Sequence, residues 1–153
     1  MTVNEYAVSM MTVQQQVIAA ARQRTTFKKV SEEIRKLLEA PWALIAERPD
    51  LRAGGHNVAT YWDDKGDGSI EVGVQVVRRF EDTALVVCSE TPGGRAATTM
   101  HYGDYSALGP AHQAVRAWCK QNGYPLAGPY WEIYGDWDDN PAKLRTDVVY
   151  LLV

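Results

Sequence analysis

The spacing of apolar and polar positions changes period several times along the chain, and each change marks an element. Residues 14–26 (QQQVIAAARQRTT) are compatible with a strand. Ser31 then reads as a helix N-cap with Glu32 and Glu33 in the first turn, where negative charge suits the helix dipole. Val30, Ile34, Leu37 and Leu38 recur at helical spacing, followed by a second short helical piece around Trp42, Leu44 and Ile45. Residues 57–62 and 70–77 read as two strands joined by the polar, glycine-rich turn at 63–68. A short β run follows at 84–89, then a Pro92-Gly93-Gly94 turn and a strand over 95–102. Gly109-Pro110 opens a helix whose apolar stripe is Ala114, Val115, Trp118 and Cys119, and Asn122-Gly123 closes it. Residues 129–135 and 145–153 complete the chain as strands about a turn at 136–141.

The order of these elements repeats. Strand, helix, strand, strand runs once over about 14–77 and again over 95–153, and VATYWDDKGDG–SIEVGVQV parallels YWEIYGDWDDN–RTDVVYLL. This predicts one α+β domain over 1–153, an internal duplication of that unit. Its expected form is two antiparallel sheets facing one another, each with a helix on its outer side and a ligand cleft between them.

Alternation along strands assigns side chains to faces. Aligning Tyr61 with Tyr134 pairs Ala59 with Glu132, Val58 with Trp131 and Thr60 with Ile133. The apolar set Val58, Trp131 and Ile133 is then expected against the helices, with Ala59, Tyr61, Glu132 and Tyr134 facing the cleft. In the next strands Ile70, Val72, Val74, Val148 and Tyr150 form the helix-side set, and Glu71 and Asp147 take equivalent places on the other face. Those two serve equally well as solvated rim groups or as functional carboxylates. Glu132 differs because Tyr130-Trp131-Glu132-Ile133-Tyr134 surrounds it with rings and aliphatic carbon. A carboxylate buried there needs donors, which tyrosine hydroxyls supply.

Composition narrows the function classes. Sixteen basic against nineteen acidic side chains give a net charge of −3, which disfavours direct nucleic-acid binding. Five Trp and eight Tyr against two Phe suit a half-wet cavity better than a dry core, since each of those rings carries a polar atom. Cys88 and Cys119 lack metal-ligand spacing and read as buried thiols; His56, His101 and His112 likewise have no Glu or Cys at ligand spacing, so no metal and no cofactor are expected. His112, early in its helix, is assigned to the surface, and His101 to a packed or hydrogen-bonded role. With no signal peptide and no apolar run long enough to span a bilayer, the expectation is a cytoplasmic protein without membrane contact.

From residue 100 onward, MHYGDYSALGPAHQAVRAWCKQNGYPLAGPYWEIYGDW resembles the GyrI-like effector-binding domains, ligand-binding modules of multidrug-sensing regulators and their stand-alone relatives. The resemblance rests on the order of His101-Tyr102-Gly103-Asp104-Tyr105, Trp118, Asn122-Gly123, Gly128-Pro129 and Glu132-x-Tyr134, with Glu71-Val72-Gly73-Val74 as the mid-domain strand. It implies the same duplicated fold and a central acid, here Glu132, that attracts cationic or amphipathic aromatic ligands, with Tyr134 and Tyr105 stacking on them. Tyr61 and Trp42 complete the candidate binding set. No helix-turn-helix precedes the domain, residues 1–11 being too short, so a stand-alone module is expected rather than a regulator. The expected function is binding of a hydrophobic, often cationic, small molecule. The alternative implied by some relatives is a hydrolase that opens strained cyclopropane rings of DNA-alkylating compounds, with Glu132, Glu71 and Asp147 as its catalytic carboxylates. A third class is an accessory protein that binds a protein partner.

Overall fold

The computed structural model describes residues 6–26, 30–63 and 67–153. In chain order the elements are β1 (Ser9–Val13), β2 (Gln16–Thr26), α1 (Val30–Leu37), α2 (Glu39–Glu47), β3 (Asn57–Tyr61), β4 (Asp67–Gln75), β5 (Val87–Thr91), β6 (Gly94–Tyr102), α3 (Gly109–Asn122), β7 (Leu126–Tyr134) and β8 (Arg145–Leu152). Short 3-10 turns stand at Pro49–Leu51, Tyr105–Ala107 and Pro141–Lys143. Helix α1 already includes Ser31, so the expected cap falls inside the helix, and its side chain lies outside the described residues, as do residues 64–66 of the turn before β4. Helix α3 follows its sequence signals closely: Pro110 sits in the first turn, and Gly123 ends the helix in the left-handed region at φ 74°.

All strands pair antiparallel in one eight-stranded sheet of order β1-β6-β8-β7-β3-β4-β2-β5. The expectation of two separate sheets is therefore corrected. The units β2–helices–β3–β4 and β6–α3–β7–β8 meet edge to edge, with β3 hydrogen-bonded to β7, so that the two become one surface. Ala59 stands directly opposite Glu132 at that junction. The bulge in β7 between Leu126 and Tyr130, with Gly128 at φ 122°, sets the register of the residues that reach the junction.

The sheet cannot be flat. Strands β1 and β2 lie six places apart in the order, about 29 Å at the usual strand spacing. Two residues join them, and two more join β5 to β6, which are also six places apart. Such a link spans only about 10 Å, so the sheet curls until its two margins adjoin. The links themselves touch: a Cβ placed on Gly93 would lie 3.1 Å from the Gln15 backbone nitrogen.

Curling explains burial on both faces. On one face Ala59, Tyr61, Val72, Tyr130, Val148 and Tyr150 pack with Leu108 just before α3, with Ala111, Val115 and Cys119 of α3, and with Ile34 and Leu37 of α1 and Leu38 just after it. Helix α2 covers the β2 and β4 end of that face through Ile45 against Ala19, Val74 and Val76. The other face holds Val58, Ala96, Trp131 and Val149, buried with Val13, Ile133 and Leu151 around them. The helices thus pack on the opposite face from Val58, Trp131 and Ile133, reversing the expected assignment of those three. Ile70, Val72, Val74, Val148 and Tyr150 do lie on the helix side. Where β2 pairs with β4 the backbones approach so closely that a Cβ on Gly73 would fall 1.8 Å from the Ala19 carbonyl oxygen.

Candidate functional site

The β3–β7 junction forms the floor of a cleft on the helix-covered face. Asn57, Tyr61, Glu132 and Tyr134 line the floor. Ile34 and Arg35 of α1, with Leu38 just after it, form one wall, and Tyr105, Leu108 and His112 form the other. Trp137, largely exposed on the loop after β7, stands at the mouth. The cavity volume is about 570 Å³, within the range of small-molecule sites. Helices α1 and α3 flank rather than cap the junction, which leaves the middle of the sheet open between them.

Glu132 lies at the bottom of this cleft with its carboxylate fully engaged. The Tyr134 hydroxyl donates to Oε1 at 2.5 Å, and His112 Nε2 meets Oε2 at 2.6 Å. On its far side His112 Nδ1 is 2.7 Å from the Tyr150 hydroxyl. The side chains of His112 and Glu132 are only 13% and 8% exposed, so this contact is shielded from bulk water. Aromatic rings surround it. Tyr130 is sandwiched between Tyr61 and Tyr150, with both centroid separations at 4.7 Å, and Tyr105 meets Tyr134 edge-on at 5.5 Å. The Arg116 guanidinium lies 5.4 Å from the Tyr150 ring centre.

These surroundings set the protonation of the rings. Burial, reinforced by the Glu132 carboxylate, holds the Tyr61 and Tyr134 hydroxyls far above the usual tyrosine range. Burial does the same to Tyr150, with Arg116 opposing it in part, and raises Tyr105 less. All four therefore remain hydrogen-bond donors with intact apolar faces at neutral pH. Among the described residues no group of three or more His, Cys, Asp or Glu side chains is placed to hold a metal ion.

The structure brings together Glu132, Tyr134, Tyr61 and Tyr105 and separates the other candidates from them. Trp42 is not among the lining residues; its indole donates to Asn57 Oδ1 at 2.8 Å and so braces a residue that is. Glu71 and Asp147 are opposite Thr60 and Ile133 in the register, on the face away from Glu132. The idea that the three carboxylates share one cleft is thereby corrected, because a one-residue offset along a strand reverses the face. Glu71 is instead buried beneath donors from Arg22 (2.8 Å), Trp62 (2.9 Å) and Ser89 (2.6 Å). Asp147 is bound by Arg145 at 2.9 Å beside a second, more polar hollow that includes His56, Tyr102 and Asp138.

His112 corrects the surface assignment most directly. It occupies the same helical stripe as Leu108, Ala111, Val115 and Cys119, all of which are buried. A polar residue at spacing i−3 from Val115 and i−7 from Cys119 was the available signal. His101 has the packed role expected of it, with Nδ1 2.8 Å from the Tyr6 hydroxyl and Nε2 3.0 Å from the Asp104 carbonyl.

Residues 6–152 match the model of the GyrI-like small molecule binding domain family. No curated protein sequence matches the chain. Among solved structures, the isolated C-terminal domain of EcmrR superposes with a TM-score of 0.78 at 18% identity, covering 97% of this chain and 98% of that one. Against the longer EcmrR chain in its DNA complex the TM-score is also 0.78 at 17% identity, and the alignment spans 98% of this chain but 58% of that one. SAV2435 bound to tetraphenylphosphonium gives a TM-score of 0.71 at 11% identity, with 96% and 94% coverage. A hydrolase from Listeria innocua gives 0.61 at 12% identity, with 95% and 91% coverage.

Proposed function

The chain belongs to the GyrI-like small-molecule-binding family, and from that premise we propose that its cleft binds hydrophobic aromatic cations. The observation that carries this reading is the buried Glu132 carboxylate at the floor of an aromatic cavity. Ring faces attract cations through their quadrupole, and a carboxylate in a partly desolvated site completes the charge match. Tyr61, Tyr105, Tyr134 and Trp137 supply the rings, while Ile34, Leu38 and Leu108 supply apolar wall. The breadth of that wall suits ligands of varied shape, as multidrug binding requires. SAV2435, similar in fold, was solved with a lipophilic cation of this class.

Tetraphenylphosphonium titrated against the protein should quench tryptophan emission through Trp137. Glu132→Gln, which keeps the shape and removes the charge, should weaken binding by about 1–3 kcal/mol, the scale of a charge–charge attraction across several ångströms at an intermediate dielectric. Equal affinity in the two proteins would remove Glu132 as the recognition group.

A hydrolytic reading has one observation in its favour: His112, Glu132 and Tyr134 form a hydrogen-bonded acid–base series open to the cleft. Glu132 would take a proton from the attacking water while Tyr134, its hydroxyl turned from Glu132 to the opening ring, gives up its own and is then reprotonated by Glu132, without Glu71 or Asp147. Following ring opening of a cyclopropane-bearing alkylator with wild type, Glu132→Gln and no protein tests it. Equal rates in all three leave a binding protein.

A further inference from the structure

We propose that His112 is a resident counter-cation of the cleft, and that a cationic ligand binds Glu132 by displacing the imidazole's charge, so that one proton leaves for each cation taken up. The inference rests on the cation-binding reading above and adds what sets its specificity.

Geometry carries the argument. The imidazole contacts Glu132 at 2.6 Å through Nε2 and Tyr150 at 2.7 Å through Nδ1, both contacts being shielded from water. Nε2–H donates to the carboxylate whether the ring is neutral or charged. Only the Nδ1 side differs between the two states. In the charged ring Nδ1–H donates to the Tyr150 oxygen, and in the neutral ring the Tyr150 hydroxyl donates to Nδ1. A hydroxyl rotor accommodates both. The site therefore holds either charge state with no movement of heavy atoms, and the proton that leaves is the one on Nδ1, which passes to solvent.

The groups facing His112 make the exchange necessary for cation binding. From β7 it faces Glu132 and the Tyr130 ring, with Tyr134 behind the carboxylate; from β8 it faces Tyr150. Tyr61 of β3 stacks on Tyr130, and Tyr105 borders the same cavity. Among the described residues that line the cleft or stack on its rings, the remaining formal charges are cationic: Arg35 of α1 lines the cleft and Arg116 of α3 lies over Tyr130 and Tyr150. With His112 protonated, one carboxylate is matched by its own imidazolium and two guanidiniums stand nearby. A further cation then finds no uncompensated negative charge. With His112 neutral, the same carboxylate keeps both its donors and offers its full charge to the ligand.

The signature is linkage. Tetraphenylphosphonium affinity should rise with pH, by up to about tenfold per unit where one proton is released per ligand. Triphenylphosphine oxide, a neutral probe of similar bulk, should show no such slope, and an aromatic anion should show the opposite one. Isothermal titration in buffers of different ionisation enthalpy reads the proton count directly on the unaltered protein. His112→Gln should bind tetraphenylphosphonium more tightly than wild type at low pH, with no proton released. Tetraphenylphosphonium bound by wild type with no slope and no proton release overturns the exchange while leaving the cation reading intact. Absence of tetraphenylphosphonium binding at every pH in both proteins overturns both.

Discussion

Tyr61, Tyr134 and Tyr150 hold their hydroxyl protons in the folded state beyond the pH at which an unfolded chain releases them, about 10. Above that pH the unfolded state binds fewer protons than the fold, so stability is full below about pH 10 and declines as the pH rises further. Each such tyrosine contributes a slope of about 1.4 kcal/mol per pH unit, hence up to about 4 for the three together. Urea unfolding followed at successive pH values should show the decline. The absorbance change of these tyrosinates should appear only with unfolding; their ionisation in an intact fold would contradict the burial described for them. Single residues also show how far the site was legible. Glu132 could be read from its neighbours, because a carboxylate flanked by Tyr130, Trp131, Ile133 and Tyr134 has apolar surroundings on either face. His112 and Tyr150 could not be joined to it from local pattern, since their contacts to one another and to Glu132 cross 20 to 38 positions of chain.

Strands decide which carboxylates can cooperate. Glu71 lies on the face opposite Glu132, so Glu71→Gln should cost stability and leave tetraphenylphosphonium affinity unchanged. Breaking a fully buried ion pair costs about 3–5 kcal/mol; because Arg22 is 56% exposed and its charge is screened, about 1–3 kcal/mol is expected here. A changed affinity with unchanged stability would argue for a role in the cleft. Where β2 and β4 pair, Gly73→Ala drives a methyl into the Ala19 carbonyl. Neither backbone can yield without loss of ladder hydrogen bonds, and destabilisation of at least about 1–3 kcal/mol, the scale of overpacking, should appear in thermal melts. Most elements were legible because their periods are clear and their ends carry Pro, Gly or Asn, as in α3. Strand β1 was not: Ser9–Val13 is a short margin strand whose pattern is nearly all exposed, and its partner is β6, about eighty to ninety positions away. Face assignment failed for a related reason. Alternation in β3 and β7 groups Val58 with Trp131 correctly, but which group meets the helices depends on how the sheet curls, and both groups are apolar enough for either role.

Joining the two units into one curled sheet has a consequence in time as well as in space. The floor of the cleft consists of β3 and β7, whose paired residues Ala59 and Glu132 are 73 positions apart. The links at 14–15 and 92–93 bind each unit to the margin of the other, so the outer strands also pair across long stretches of chain. Chains dominated by such distant pairings fold in milliseconds to seconds, because loop-closure entropy is spent before the contacts that reward it exist. Each unit can gather its own strands and helix early, and the second holds the Glu132–His112 contact, yet neither alone contains the β3–β7 floor or a two-walled cavity. Binding capacity should therefore return late. In stopped-flow refolding, quenching by tetraphenylphosphonium should follow the slowest phase of secondary-structure recovery. Quenching complete within the dead time would mean that one unit forms a competent site unaided. During synthesis the same order applies: the site is absent until β8 (Arg145–Leu152) has emerged to hold β7 in place, so that strand decides when the cleft can first take up a small molecule.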